Sequence, residues 1–230
     1  MKTIGLLGGM TWHSTLEYYR LINQGVQTKL GGSHSARCVL VSVEFDEFER
    51  LQAAGDWKRL TELMIEAARS VEKAGADFIV ICANTMHRMA EDVTASVKIP
   101  LLHVADAAAE AVKAQGLKTV GLLGTRYTME QEFYRKRLEE KHGLRVLIPA
   151  EPDLTTVHTV IYEELARGVI REESRRSYLD IIGKLARSGA QGVILGCTEI
   201  PLLIRQEDSK LPLFDTTALH AAAAVRAAIS

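Results

Sequence analysis

The sequence predicts an α/β protein of two pseudo-symmetric domains, each a four-stranded parallel sheet flanked by helices, with the functional site in the cleft between them. Three observations carry that expectation. Short runs rich in Ile, Val and Leu alternate with longer helix-like stretches, the pattern of a parallel sheet covered by helices. The chain also repeats itself: KTIGLLG at 2–8 returns as KTVGLLG at 118–124, and AGADFIVICANT at 74–85 returns as SGAQGVILGCTE at 188–199. Finally, 230 residues at 47% hydrophobic content are ample for two cores, and the repeat favours domains of roughly 100 residues each.

Taken in order, strands are expected near 3–7, 38–43, 77–81 and 100–103 in the first copy, and near 119–123, 144–148, 192–196 and 212–214 in the second. Helices are expected over 14–30, 57–74, 86–96, 105–115, 129–142, 155–167, 173–188 and 217–228. The stretch 44–52 reads as a loop. Pro100 and Pro212 each open the last strand of a copy, where a missing N–H is tolerated. The Ala-rich segment 217–228 reads as packing that crosses back onto the first copy. The domains are therefore 1–104 plus 217–230, and 105–216.

Composition removes several classes of function. A net charge of −1 gives no basic face for nucleic acid or an anionic membrane. No apolar run approaches the ~18 residues needed to span a bilayer. Met1-Lys2 leads into a strand-like run without a signal-peptide pattern. Cys38, Cys82 and Cys197 are too few and too widely spaced for a disulfide framework, and no Cys/His spacing reads as a zinc site. The expectation is a cytoplasmic enzyme acting on a small molecule, with no metal.

In parallel sheets ligands bind beyond the carboxyl ends of the strands. The loops there are Gly8-Gly9-Met10-Thr11, Ala83-Asn84-Thr85, Gly124-Thr125-Arg126-Tyr127-Thr128 and Cys197-Thr198-Glu199. They are small, polar and followed by helices, so their N–H groups suit a small anion such as a carboxylate. GLLGGMTW lacks the glycine spacing of a dinucleotide site.

Aligning the two copies pairs Ala83 with Cys197, a methyl group with a thiol. A thiol at a strand end beside helix N-terminal N–H groups is expected to have its pKa drawn down toward neutrality, where it can serve as a general base. Cys82 is one residue out of phase and so faces the other side of its strand, in the core. Cys38 reads as core as well. Asn84 and Thr85 read as a helix cap that also holds a substrate carboxylate, and Thr125 and Thr128 have the same double reading. His87 lies one turn beyond Asn84 and is a weaker candidate. His103 and His220 are weaker still, and His34, His142 and His158 read as surface positions.

IGLLGGM at 4–10, CANTMH at 82–87, GLLGTRYTM at 121–129 and GCTEI at 196–200 together resemble the aspartate/glutamate racemase superfamily over nearly the whole chain. The GGM-T-W opening resembles its bacterial amino-acid racemase branch. The resemblance implies two pseudo-symmetric domains, a homodimer, and PLP-independent isomerase chemistry with no cofactor. One residue takes the α-proton of an amino acid and another returns a proton to the opposite face.

In that scheme the catalytic positions are Cys197 and Ala83, and alanine carries no transferable proton. A natural one-thiol variant and an engineered alanine both fit, and either implies impaired or one-sided turnover. With the loops read as the carboxylate cradle, the expected substrate contacts are Gly9, Met10, Gln52, Asn84, Thr85, Thr125, Thr128 and Thr198, and with a neutral substrate Glu164 is expected to hold the ammonium. Basic residues that grip a distal carboxylate in acidic-substrate members fall at Ala166 and near Gln52. Arg50, Arg126 and Arg167 are the available replacements; failing them, a neutral polar amino acid fits better than aspartate or glutamate. Two alternatives stand beside racemisation. One is a single-cysteine decarboxylase of the arylmalonate type, and the other is a non-catalytic amino-acid binding protein.

Overall fold

A computed structural model describes all 230 residues. The first half runs β1 (Ile4–Gly8), α1 (Trp12–Leu30), β2 (Cys38–Ser42), α2 (Phe45–Ala53), α3 (Trp57–Lys73) and β3 (Phe78–Ile81). A 3-10 turn at Thr85–Met89, α4 (Ala90–Ser96) and β4 (Leu101–Leu102) follow. The second half runs α5 (Val104–Ala114), β5 (Thr119–Gly124), α6 (Arg126–Glu130), α7 (Glu132–Lys136) and a π turn at Arg137–Lys141. Then come β6 (Arg145–Leu147), α8 (Asp153–Glu163), a 3-10 turn at Leu165–Arg167 and α9 (Glu172–Arg187). The chain ends with β7 (Gly192–Gly196), α10 (Ile200–Leu203), a 3-10 turn at Gln206–Asp208, β8 (Leu213–Asp215) and α11 (Thr216–Ile229).

All pairings are parallel, and the two sheets have the same order, β2-β1-β3-β4 and β6-β5-β7-β8. This is the α/β architecture expected from the alternating pattern. The chain divides into one unit of Met1–His103 with His220–Ser230 and another of Val104–Leu219. The expected seams at 104 and 217 thus sit at 103 and 219, the second of them inside α11. That helix returns to the first sheet: Lys2 N–H donates to the Ala228 carbonyl at 2.8 Å, and Ala221, Ala224, Val225 and Ala228 share a core cluster with Ile4, Leu6 and Tyr18. Its alanines let helix and sheet approach closely, which is why a featureless segment packs.

Pro100 and Pro212 lie immediately before their strands, and their carbonyls start the ladders by accepting from Ile79 and Val193 N–H, each at 2.8 Å. Burial explains the strand sequences. β1 and β7 are central and entirely buried, whereas β2 is an edge strand that alternates.

Several boundaries differ from expectation. Residues 45–53 form a helix rather than a loop: Glu44 accepts from Asp46 and Glu47 N–H, while Phe48 and Gln52, four residues apart, are buried. The helix expected at 129–142 is divided at Gln131, whose extended backbone (ψ 149°) interrupts it. The helix expected at 155–167 ends at Glu164, where φ −122° and ψ −69° leave the helical region. The residues 86–96 begin with a 3-10 turn before α4.

Candidate active site

In the first unit β1 and β3 are neighbours, with Leu7 opposite Ile81, so the loops after them leave the sheet side by side. Ser14 joins those loops, its hydroxyl donating to the Thr11 carbonyl at 2.9 Å and the Cys82 carbonyl at 3.1 Å. Gly9 has φ 94°, and a Cβ there would lie 2.2 Å from the Val43 carbonyl, so only glycine fits. Its N–H donates to Thr15 Oγ1 at 2.8 Å. Met10 and Ala83 belong to one buried cluster with Phe48 and Met64 on the α3 side. Gln52 is buried on α2, a helix and not the loop expected there. Cys82 belongs to the opposite cluster, with Ile4 and Tyr18, as strand alternation requires. Cys38 is half-buried against that same cluster, and burial pushes its thiol up to about 11.

Asn84 precedes the 3-10 turn but does not cap it with its side chain. Its backbone is already helical (φ −73°, ψ −49°), which removes the extended geometry that capping requires. The turn is closed instead by His87 N–H donating to the Asn84 carbonyl at 3.1 Å. Asn84 and Thr85 are nevertheless both buried at the strand end.

His87 is also buried, and Nδ1 donates to the Ala83 carbonyl at 2.8 Å. Its ring lies 4.6 Å from that of His103 and 5.7 Å from that of His220. Burial foremost, and then these two rings, hold its pKa well below the ordinary histidine value. The His220 ring is fixed from both sides, accepting from Tyr18 OH at 2.9 Å and donating from Nε2 to the Leu102 carbonyl at 2.8 Å. The three weaker histidine candidates therefore form a buried support behind position 83, and they are not arranged to hold a metal ion.

In the second unit β5 and β7 are neighbours, with Gly124 opposite Gly196. A Cβ on Gly124 would lie 2.9 Å from the Gly196 carbonyl, so these loops pack backbone to backbone. Thr125 caps α6, accepting from Thr128 N–H at 3.3 Å, and the two hydroxyls are 3.2 Å apart. Thr128 is fully buried.

Cys197 lies just past β7 in a cluster with Val193, Leu195, Tyr178 and Ile200. It faces the α9 side of its sheet as Ala83 faces the α3 side of the other, continuing Val193-Leu195 as Ala83 continues Ile79-Ile81. The residue pairing read from the repeat is therefore an equivalence of position within each unit.

The expected drawdown of the Cys197 pKa is corrected. Burial and the adjacent Glu199 carboxylate raise it well above the ordinary thiol value. Backbone N–H groups of Glu199 and Ile200 pull the other way, as expected of a helix start, but are outweighed. Sγ donates to Glu199 Oε2 at 3.0 Å, and Thr198 Oγ1 donates to the same oxygen at 2.6 Å. Glu199 is itself buried and was not singled out from the sequence. The available signal was an acidic residue two positions after the thiol in an otherwise uncharged strand-end loop.

The other charged candidates have partners within their own units. Glu164 accepts from Ser174 Oγ at 2.6 Å and lies 3.8 Å from Arg171. Arg126 pairs with Glu130 and Glu151, Arg50 with Asp46, and Arg167 with Glu163. His142, expected at the surface, is mostly buried with Nε2 2.7 Å from Asp106. His158 is likewise engaged, accepting from Arg126 N–H at 3.2 Å.

Comparison with known proteins gives this geometry a family. The model of the Asp/Glu/Hydantoin racemase family matches residues 7–224. The chain belongs to that family. Its class of activity is thus amino-acid racemisation, an isomerase reaction that needs no PLP. Among solved structures, the chain is similar to a Yersinia pestis protein assigned as an Asp/Glu racemase, at 54% identity and TM-score 0.94 over 100% of both chains. An aspartate racemase homologue of Pyrococcus horikoshii OT3 is 36% identical at TM-score 0.87, again over 100% of both. The broad specificity amino-acid racemase RacX of Bacillus subtilis is 23% identical over 177 residues, covering 74% of this chain and 73% of RacX. The match to the glutamate racemase of Aquifex pyrophilus, 29% over 144 residues, covers 62% of this chain and only 54% of that enzyme.

Proposed function

We propose that this racemase-family chain acts on the α-carbon of polar amino acids without a cofactor, with Cys197 as the group that exchanges the α-proton. The observation that carries this reading is Cys197 itself: a strand-end thiol bounded by the Glu199 and Ile200 N–H groups and hydrogen-bonded to a carboxylate. The α-proton of an amino acid is very weakly acidic, so donors must meet the charge that develops on the substrate carboxylate. In this reading the strand-end loops supply them, through Asn84, Thr85, Thr125, Thr128 and Thr198 and the backbone at Gly9 and Met10.

Position 83 is read as the second acid/base position. With a methyl group there, inversion needs a proton from water or a neighbouring hydroxyl, and turnover is one-sided or slow. Losing a positioned acid or base typically costs ~10²–10⁴-fold. Substrate is the finer question. Arg50, Arg126 and Arg167 already have carboxylate partners, and the charged side chain beside Cys197 is the acidic Glu199. Both facts favour a neutral polar side chain over a second carboxylate. In this reading the chain works in the cytoplasm as a homodimer.

The test is ¹H NMR of L- and D-aspartate, glutamate and homoserine in D₂O with the native chain and with Cys197→Ala, Ala83→Cys and Ala83→Thr. Cys197→Ala is expected to abolish α-exchange, while either replacement at 83 speeds formation of the opposite enantiomer. Exchange that survives Cys197→Ala would sink the assignment. The single thiol also suits a malonate decarboxylase that protonates one face. Release of CO₂ from an arylmalonate, without amino-acid exchange, would favour that second reading.

A further inference from the structure

Two successive carbonyls of the loop after β3 end on one residue. His87 Nδ1 donates to the Ala83 carbonyl at 2.8 Å, and the His87 backbone N–H donates to the Asn84 carbonyl at 3.1 Å. Neither of the peptides carrying them is cis, and in a trans peptide the C=O and N–H bonds point in opposite directions. The Asn84 and Thr85 N–H groups are therefore both turned away from His87. The helical backbone of Asn84 (φ −73°, ψ −49°) keeps the two nearly parallel. Adjacent N–H groups aimed the same way form a seat for an anionic oxygen.

We propose that His87 is a positioning residue for the substrate α-carboxylate, holding two successive peptides so that the Asn84 and Thr85 N–H groups meet that carboxylate as a pair. This rests on the racemase reading and specifies which loop takes the carboxylate and what keeps the loop in shape.

The support is continuous. Ser14 Oγ donates to the Cys82 carbonyl at 3.1 Å, so with His87 three consecutive carbonyls are held by buried residues. The His87 ring is held in turn, 4.6 Å from the His103 ring and 5.7 Å from the His220 ring. His220 is anchored by Tyr18 OH and the Leu102 carbonyl. Burial and the neighbouring rings keep His87 neutral near neutral pH.

The second unit lacks this arrangement. The alignment that pairs Ala83 with Cys197 pairs His87 with Pro201, whose side chain has no donor. The loop there also carries the Glu199 carboxylate, a poor neighbour for another anion, whereas 83–90 holds no acidic residue.

Two measurements on the full chain test this. The first needs no ligand: two-bond ¹H–¹⁵N NMR of the histidine rings. Donation to a carbonyl requires a proton on Nδ1, so His87 is expected as the Nδ1–H tautomer at neutral pH. Finding the Nε2–H form would overturn the proposal.

The second is calorimetric binding of L- and D-homoserine and L- and D-aspartate, each against its own α-amide. Native chain, His87→Phe and His87→Asn are compared. Phe fills the space of the ring without a donor, whereas Asn places Nδ2 where Nδ1 stood. The native chain should prefer carboxylate to amide. His87→Phe is expected to cut that preference ~10-fold or more, the worth of a hydrogen bond to a charged group, and His87→Asn to restore most of it. Where His87→Phe does not fold, His87→Leu takes its place. A merely structural role would lower the melting temperature and weaken both ligands alike. A preference unchanged in the donor-free variant, or not restored in folded His87→Asn, would overturn the positioning role and leave the racemase reading standing. Native chain that binds none of the amino acids would overturn both.

Discussion

Acidification should loosen the unit that carries Ala83, and His87 should account for a measurable part of the effect. The ring is buried between His103 and His220 and donates from Nδ1 to the Ala83 carbonyl. Its folded pKa is depressed, so between that value and the unfolded value of about 6.5 the unfolded chain binds the extra proton. Stability therefore falls as pH drops below about 6.5, by at most about 1.4 kcal/mol per pH unit for one such group. Over the interval down to about pH 5 this reaches at most roughly 2 kcal/mol, against a total of about 5–15 kcal/mol for a folded domain.

The assay is urea unfolding followed by tryptophan fluorescence, since Trp12 and Trp57 both lie in the unit that holds His87. His87→Gln keeps a neutral donor and should flatten the pH dependence by about that amount. Curves for native chain and His87→Gln that run parallel from neutral pH to about pH 5 would refute the argument. Tyr18, His103 and His220 remain in the variant, so the difference reports His87 together with its coupling to those two rings.

Other expectations follow from single contacts. The Tyr134 hydroxyl is fully buried and meets no protein partner, whereas the equally buried Tyr18 hydroxyl bonds His220. Tyr134→Phe should therefore raise stability by about 1 kcal/mol, read as a Tm increase of about 2–4 °C. A decrease would mean that a buried water satisfies the hydroxyl. Gly9→Ala must escape a 2.2 Å approach to the Val43 carbonyl and should cost at least about 1–3 kcal/mol, with loss of any α-exchange; native-like melting and turnover would contradict that. Asp106 accepts from Arg137 through both carboxylate oxygens and also meets Lys141 and His142. These partners hold its pKa far below the usual carboxylate value despite burial. Its contribution should be present above about pH 4 and disappear on further acidification. Asp106→Asn should cost about 1–3 kcal/mol at neutral pH and remove that acid limb in calorimetry.

The central strands β1, β3, β5 and β7 were legible because a central parallel strand must be apolar throughout, and the edge strands followed from their short apolar runs and, for β4 and β8, the proline that precedes each. α2 was read as a loop because its few apolar residues are interleaved with Asp46, Glu47, Glu49 and Arg50; the Glu44 cap and the packing of Phe45, Phe48 and Leu51 on one face are what make it a helix. The π turn after α7 depends on cross-element partners, since Arg137 and Lys141 reach to Asp106 on α5. Neither the breaks at Gln131 and Glu164 nor the uncapped Asn84 leave a local mark that outweighs helical propensity.

By itself, the sequence determined the strand-end positions of Ala83 and Cys197, the glycine-rich loops and the family, because all of these depend on local order along the chain. Tertiary structure alone decided the state of the sulfur. Residues two apart past a strand can point anywhere, and only the folded loop brings the Glu199 carboxylate onto Sγ in a buried setting. There burial and like charge outweigh the helix-start N–H groups, because removing solvent magnifies every nearby charge. The same holds for the His87, His103 and His220 rings, which lie far apart in sequence and become one support only when α11 returns to the first sheet.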